Sequence, residues 1–477
     1  MEKNFYKNLK YAFIAQFISI LFSLIMYLIV PKVVGTVNYA YWQLFMFYTN
    51  YSGFFHLGLV DGIYLRLGGK KYSDLNYELL GSQLKVMTLF QTILTILLFI
   101  IFFNINIAID RKIVFFWTAI FTIIYCIENY LGFILQAVNL TKKYSFAIIT
   151  EKVICLVITV ILLILHIENY KLYIATFTIS KLINVVILIF QCRKIVFSKI
   201  LKFKIVFKEM ASNITVGSIL MFSGIAGSLI IGNGRMVIDN IWGIETFGKI
   251  SFSISMLNMV LLFVKQISMV LFPALKTIEE EQQSDIYYKT RKELYILLPI
   301  IYLCYIPGKY IMNKWLPQYG ESLIILSLTM PICIYDAKMQ ILGNTYFKLL
   351  RKEKRLLIIN ILTMIISLVL SVFVGYLLKS VNLIVISLVF AIAIRSIYAE
   401  LYLNKYYKQR KNEKFEIIAE CIISITFMTA SWYLRDVQSL LVVVFSYVIF
   451  ICINKDDSKY VYNILKNKLK RENKNET

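Results

Sequence analysis

Apolar blocks of about 20 residues recur along the whole 477-residue chain, and short polar stretches separate them. A helix needs about 20 residues to cross a bilayer, because it rises about 1.5 Å per residue and the hydrocarbon core is about 30 Å thick. Only 17% of the residues are charged, whereas soluble domains carry about 25%. The sequence therefore predicts an all-α polytopic membrane protein.

The blocks predict about fourteen transmembrane helices. Positive charge supports this count, because lysine and arginine concentrate in cytoplasmic loops. With the N-terminus inside, most of the 51 lysines and arginines fall in the two tails and in the loops expected to be cytoplasmic. Both termini are therefore predicted to be cytoplasmic. The predicted spans are 11–30, 39–60, 86–104, 113–138, 146–165, 172–191, 213–234, 250–272, 294–307, 322–347, 356–378, 382–403, 416–434 and 438–453.

The loops between these spans exclude several classes of function. The formal net charge of +23 is spread over short juxtamembrane loops, which suits contact with anionic lipid headgroups rather than nucleic acid. No loop is long enough to fold as a soluble catalytic domain, so we expect a protein that is not an enzyme. The seven cysteines and two histidines show no spacing typical of a metal site.

Two stretches of the sequence align at an offset of 208 residues. This offset places Gly35 on Gly243, Tyr39 on Phe247 and residues 63–67 on 271–275. A three-residue insertion then brings Ser73-Asp74 onto Ser284-Asp285. The alignment predicts a tandem repeat of six plus six helices, in which both halves have the same orientation.

The repeat predicts four segments. Two parallel six-helix lobes would surround a central cavity and open it to each side of the membrane in turn. The segments are an N-terminal lobe at 1–192, a basic cytoplasmic linker at 193–211, a C-terminal lobe at 212–404, and two extra transmembrane helices with a basic cytoplasmic tail at 405–477.

The stretch from Asn8 to Tyr72 resembles the opening of bacterial oligosaccharide-lipid flippases of the multidrug/oligosaccharidyl-lipid/polysaccharide exporter superfamily. In that family the second span ends in a Gly-Leu-x-x-Gly-x-x-x-Arg pattern, which is matched here by Gly58, Leu59, Gly62 and Arg66. Many members also have an Asp-Arg pair near the end of span seven, where this chain has Gly234 and Arg235, with Asp239 one turn further on.

The resemblance implies translocation of an undecaprenyl-diphosphate-linked oligosaccharide repeat unit from the cytoplasmic to the outer leaflet of the bacterial cytoplasmic membrane. Such a flippase serves the synthesis of surface polysaccharide, for example O-antigen or capsule. Its expected partners are the lipid-linked oligosaccharide, membrane lipids and a downstream polysaccharide polymerase. No cofactor is expected beyond a coupling ion, H⁺ or Na⁺. The alternative is a cation-coupled multidrug or organic-cation antiporter of the same superfamily.

Ionisable side chains within the spans are the candidate site residues, because each costs about 2.5–3.5 kcal/mol at the bilayer centre and is usually functional. An excess of cations in the cavity would suit a diphosphate. The candidate cations are Lys181, Arg66, Arg235, Lys265, Lys338 and Arg395, and the candidate acids for the cavity or for ion coupling are Glu128, Asp336 and Asp239.

Several candidates also have a structural alternative, and Arg66 could serve only to anchor the cytoplasmic end of span two. Lys265 and Arg395 lie near the cytoplasmic face, where long cations extend to lipid headgroups. Asp336 and Lys338 are two residues apart and diverge by about 200° on a helix, so they cannot both face one cavity. Glu128 could instead form an interhelical hydrogen bond.

An aromatic stretch at 39–56 supplies a further set of candidates. Tyr48, Asn50 and His56 are candidate glycan contacts, because sugars stack on aromatic rings and hydrogen-bond to amides. Helix packing and interfacial anchoring also use such residues, and packing is the favoured interpretation.

Overall fold

The computed structural model describes residues 2–276, 278–407 and 413–475, and their regular secondary structure is entirely helical. Short helices and six one-turn 3₁₀ or π segments, such as the π-helix Met339–Asn344, lie between the longer helices. The α-helices are α1 Glu2–Leu28, α2 Val30–Val34, α3 Thr36–Thr49, α4 Leu59–Leu67, α5 Tyr77–Asn104, α6 Ile109–Ala137, α7 Thr141–Ile164, α8 Tyr170–Gln191, α9 Arg193–Val196, α10 Phe203–Lys276, α11 Glu280–Leu297, α12 Tyr305–Trp315, α13 Gly320–Thr329, α14 Pro331–Lys338, α15 Thr345–Leu349, α16 Glu353–Phe373, α17 Val381–Tyr406, α18 Glu413–Tyr433, α19 Asp436–Ile453 and α20 Lys455–Asn475.

These helices make the chain a polytopic membrane protein. Ten helices of the described residues are long and apolar enough to cross a bilayer, and two bent pairs raise the number to 12. The bent pairs are Glu280–Tyr302 with Tyr305–Trp315, and Pro317–Thr329 with Pro331–Leu349. One of the ten, Phe203–Ser268, contains two predicted spans, and the second predicted span is broken into α3, the 3₁₀ turn Ser52–His56 and α4. Counting these two spans as well gives the predicted fourteen.

The long helix α10 is divided by a kink at Gly243, which reproduces a break in the first half of the chain. Gly243 has φ 79° and ψ −174°, and Gly35, between α2 and α3, has φ 76° and ψ 169°. A side chain disfavours this left-handed region, so glycine is the natural residue at both positions. The alignment at offset 208 therefore pairs two residues that have the same unusual backbone conformation.

The last part of that alignment is wrong. Ser73 and Asp74 lie in a 3₁₀ turn before α5, whereas Ser284 and Asp285 lie within α11. The two short Ser-Asp sequences therefore occur in different local structures, and their similarity does not extend the repeat.

The chain divides into two compact units. The first comprises Met1–Gly232 and Trp242–Ser251, and the second Asn233–Ile241 and Phe252–Thr477. Because all three breaks between these units fall within α10, the four segments predicted from the sequence stay a prediction.

In the first unit α6 is the central helix, packed against α3, α4, α5 and α8. An aromatic cluster joins α3, α6 and α8, where Trp42 and Phe45 meet the Phe177 ring edge-on and Phe121 stacks on it. In the second unit α17 packs against α13, α14 and α16. The outer helices, such as α5, expose rows of large apolar side chains, as lipid-facing helices do.

Candidate functional site

A buried cluster of charges in the first unit contains two of the predicted site residues. Lys181 on α8 places Nζ 3.1 Å from Glu128 Oε2 on α6 and 3.2 Å from Glu151 Oε2 on α7. Lys152 pairs with Glu151 at 3.1 Å, and the Asn184 amide donates to both glutamates. We call Glu128, Glu151, Lys152, Lys181 and Asn184 the Lys181 network.

Helix geometry explains why these side chains meet. Lys181 and Asn184 are three residues apart, so they lie on the same face of α8, and that helix packs against both α6 and α7. Glu128 and Glu151 are 3% and 1% exposed. Buried carboxylates are stable only when paired, and here two glutamates face two lysines. Lys181 is therefore already neutralised by carboxylates in this structure.

A second buried cluster lies in the second unit and forms a linear series of five charges. Arg291 on α11 binds Glu416 Oε2 on α18 at 2.5 Å and Glu400 Oε1 on α17 at 2.6 Å. Lys338 on α14 binds Glu400 Oε2 at 2.5 Å and Glu420 Oε2 on α18 at 2.7 Å. We call this series, Glu416–Arg291–Glu400–Lys338–Glu420, the five-charge chain.

Asp336 and Lys338 enter different networks, as their angular separation predicts. Asp336 accepts a hydrogen bond from Gln340 at 2.7 Å and lies 3.4 Å from Arg395 Nη1. Arg395 also donates through Nε to Asn360 at 2.8 Å. Arg395 is thus held inside the unit by side-chain partners, which does not agree with the alternative that it extends to lipid headgroups.

A π-helix, Met339–Asn344, begins directly after Lys338. Such π segments are rare and are often found at functional sites. A small cavity beside it is lined by Lys338, Glu400 and Ser396 together with apolar side chains, and has room for about one water molecule. The charges in the middle of the five-charge chain therefore adjoin a polar cavity.

The Gly-Leu-x-x-Gly-x-x-x-Arg motif lies where α4 crosses the beginning of α10. A Cβ atom on Gly62 would come within 1.9 Å of the Asn213 carbonyl oxygen, and one on Gly217 within 2.0 Å of the Gly58 carbonyl oxygen. Arg66 closes the contact, with Nη2 2.6 Å from Glu209 Oε1. The motif thus allows two backbones to touch, and Arg66 anchors the end of α4.

The remaining charged candidates differ in their burial. Arg235 is buried, Asp239 is half-buried and Lys265 is exposed. A Cβ atom on Gly234 would meet the Leu388 side chain at 2.7 Å. The close packing of α10 against α17 therefore accounts for glycine at the position where many members of the resembled family have an acid.

The aromatic candidates serve packing in part. Tyr48 stacks on Phe115, with ring centroids 4.7 Å apart. His56 is buried, and its Nδ1 accepts a hydrogen bond from the Gly58 amide at 3.2 Å. Asn50, at the end of α3, is exposed. Of the three candidate glycan contacts, only Asn50 has an exposed side chain.

The predicted excess of cations in a cavity stays a prediction. Among the described residues, five glutamates and four cations are fully buried, and Lys152 and Lys181 are only slightly more exposed. Glu151, Glu400 and Glu420 are not among the predicted site residues, although each lies within a predicted span and the burial cost of charge applies to all three. Arg291 and Glu416 lie outside or at the edge of the predicted spans, so no comparable signal marked them. The described residues contain no group of three or more His, Cys, Asp and Glu placed to hold a metal ion.

No family model and no curated protein matches the sequence. Solved structures match its fold. An inward-facing multidrug resistance transporter of the MATE family, within the MOP superfamily, superimposes with a TM-score of 0.61 at 11% identity, covering 86% of this chain and 96% of that chain. The lipid II flippase MurJ, in an inward closed conformation, gives a TM-score of 0.61 at 13% identity, covering 94% of this chain and 99% of that chain. The chain has the fold of MOP superfamily transporters.

Another structure with this fold is a MOP superfamily transporter from Pyrococcus furiosus, with a TM-score of 0.52 at 12% identity. The match covers 84% of this chain and 94% of the Pyrococcus furiosus chain. The expected all-α architecture and the resemblance in fold to this superfamily are thus confirmed. Both exporters and a flippase occur among the similar structures, so the fold leaves both predicted kinds of substrate open.

Proposed function

We propose that the protein is a flippase that moves undecaprenyl-diphosphate-linked oligosaccharide repeat units from the cytoplasmic to the outer leaflet of a bacterial cytoplasmic membrane. The observation that carries the proposal is the match to a lipid II flippase over 94% of this chain and 99% of that one. The glycine motif in α4, which the sequence shares with oligosaccharide-lipid flippases, is a second support.

The proposed mechanism is alternating access between two six-helix lobes. An inside-negative membrane potential favours outward movement of an anion by about 2.3 kcal/mol per charge per 100 mV, which suits a diphosphate. Consumption of the product by a polysaccharide polymerase would draw the reaction further. Lys181 is the proposed phosphate contact, for which the diphosphate competes with Glu128 and Glu151.

Translocation in proteoliposomes tests this proposal. A lipid-diphosphate oligosaccharide is placed in one leaflet, and its arrival in the other is scored with a sugar-modifying enzyme that cannot cross the bilayer. We expect wild type to translocate it and Lys181→Ala to slow translocation about tenfold or more, because a hydrogen bond to a charged group contributes about 1.5–3 kcal/mol. Lys171→Ala is the matched control, since Lys171 lies on the same helix and pairs with Asp110 at the surface.

The second candidate is a cation-coupled exporter of organic cations. The observation that favours it is the net negative charge of the five-charge chain, whose three glutamates face two cations and would suit a positively charged substrate. Efflux of an organic cation by folded wild-type protein, without translocation of several lipid-diphosphate oligosaccharides, would overturn the flippase proposal in favour of this one.

A further inference from the structure

The five-charge chain carries one negative charge more than it can neutralise. It alternates in sign, and it begins and ends with a carboxylate, so three glutamates face two cations. All five residues are at most 7% exposed. The Lys181 network, in contrast, has two glutamates and two lysines and needs no further charge.

Glu420 is the more deeply buried of the two terminal carboxylates of the five-charge chain. Its Oε2 binds Lys338, whereas its Oε1 is buried and accepts no hydrogen bond from the residues that the structure describes. The side chain is only 1% exposed. A buried acceptor without a donor costs about 1–3 kcal/mol, and more when it is charged.

We propose that the five-charge chain binds one proton, at Glu420 Oε1, and that this proton is a coupling ion for the transport proposed above. One proton makes three carboxyl groups and two cations electrically neutral, and it removes the unsatisfied acceptor. A proton binds to a single carboxylate oxygen, and Glu420 Oε1 supplies one. Proton binding at Glu420 requires no transport substrate. The role of this proton as a coupling ion rests on the proposed transport.

The surroundings leave the carboxylates as the groups that titrate near neutral pH. Tyrosine and cysteine are ordinarily neutral there, since their usual pKa values are about 10 and 8.5, and Asp457 is paired with Lys292. Among the described residues, the other ionisable side chains around the five-charge chain are Tyr287 and Tyr295 of α11, Tyr302 of the following 3₁₀ turn, Cys333 and Tyr335 of α14, Cys421 of α18 and Asp457 of α20.

The position of the five-charge chain allows a bound proton to affect the packing of several helices. Glu416 and Glu420 belong to α18, and Lys338 and Arg291 tie that helix to α14 and α11. Protonation of Glu420 weakens the attraction between Glu420 and Lys338. The cavity beside Lys338 and Glu400 has room for a water molecule next to the middle of the five-charge chain. A proton can therefore bias two arrangements of α18 against α14, as a ligand biases two conformations that bind it unequally.

Infrared difference spectroscopy of the purified protein in lipid, between alkaline and acidic buffer, tests proton binding without substrate. We expect a protonated-carboxyl band in wild type that Glu420→Gln abolishes. Glu416→Gln removes the excess negative charge but keeps Glu420, so its band should appear only in more acidic buffer. Glu281→Gln, an exposed glutamate of α11, is the control and should leave the band unchanged.

Absence of the band in wild type, or its persistence in Glu420→Gln, would overturn the proposed proton site. Glu420→Asp guards against a misfolded variant, because it keeps a carboxyl group and should keep a band. In proteoliposomes, an imposed pH gradient should change the translocation rate of wild type and of Glu281→Gln but not of Glu420→Gln. If wild type binds the proton but translocates no oligosaccharide, the proton site stands and the proposed substrate fails.

Discussion

Gly62 shows how a single residue without a side chain can hold two helices together. Its Cα faces the backbone of α10 so closely that a methyl group would overlap the Asn213 carbonyl oxygen. Backbone atoms cannot move aside as the end of a flexible side chain can, so α4 and α10 would have to separate. Arg66 would then lose its contact with Glu209, because both interactions belong to the same crossing.

We therefore expect Gly62→Ala to destabilise the protein by about 1–3 kcal/mol or more, the usual cost of overpacking a close contact. The control is Gly224→Ala, because Gly224 lies on α10 with open space around it and alanine favours a helix. Thermal unfolding in detergent measures both variants. Equal stability of Gly62→Ala and Gly224→Ala would show that the two backbones do not touch.

Individual site residues were predictable only where the free-energy cost of placing a charge in the bilayer identifies them. A charge within an apolar span is unusual in any fold, which is why Lys181, Glu128 and Lys338 could be selected. Their partners depend on which helices are neighbours, and that depends on tertiary packing. No pattern in the sequence pairs Lys181 with Glu151, so the sequence alone predicts that the positive charge of Lys181 is available to a substrate.

Among the elements, the breaks within helices depend on a few residues with special backbone conformations. Gly35 and Gly243 have nearly the same φ and ψ, and a Cβ atom on either would meet no atom within 4 Å. Any penalty for a side chain at these positions must therefore come from the backbone itself. Because the two conformations match, the penalties should match as well.

We expect Gly35→Ala and Gly243→Ala each to lower stability by about 1–3 kcal/mol, the usual cost of a non-glycine residue in a sparsely populated backbone region. Gly308→Ala is the control, since Gly308 also has open space around it but its φ is not positive. Thermal unfolding of the three variants tests the expectation. A neutral Gly243→Ala together with a destabilising Gly35→Ala would contradict the structural repeat.

Most of the long helices were predictable, because each repeats the same apolar signal over about 20 residues. The broken spans were not. Ser52–His56 interrupts the second span with a 3₁₀ turn, and Pro331 follows the bend in the tenth. Hydropathy does not detect such bends, because the sequence of a broken span is as apolar as that of a straight transmembrane helix. The distribution of positive charge in the loops therefore supports the predicted fourteen spans more directly than hydropathy does.

For the whole molecule, the number of membrane crossings decides the side on which each loop lies. The bent pair Glu280–Tyr302 with Tyr305–Trp315 is the critical element, because its two parts cross the bilayer only if they form one span. If they turn back instead, the count is odd and every later loop changes side. The basic segments at 348–355 and 454–475 would then face outward, against the usual preference of lysine and arginine.

We therefore expect both ends of the protein to be cytoplasmic. A fluorescent protein that matures only in the cytoplasm should fluoresce when fused to either end, and a phosphatase that is active only outside should be active when fused after residue 106, in the loop between α5 and α6. The phosphatase fusion controls for the orientation of the first helices. Fluorescence at the N-terminus without fluorescence at the C-terminus would show an odd number of crossings. In that case one of the two bent pairs would be a re-entrant segment, and the basic segment at 454–475 would face outward.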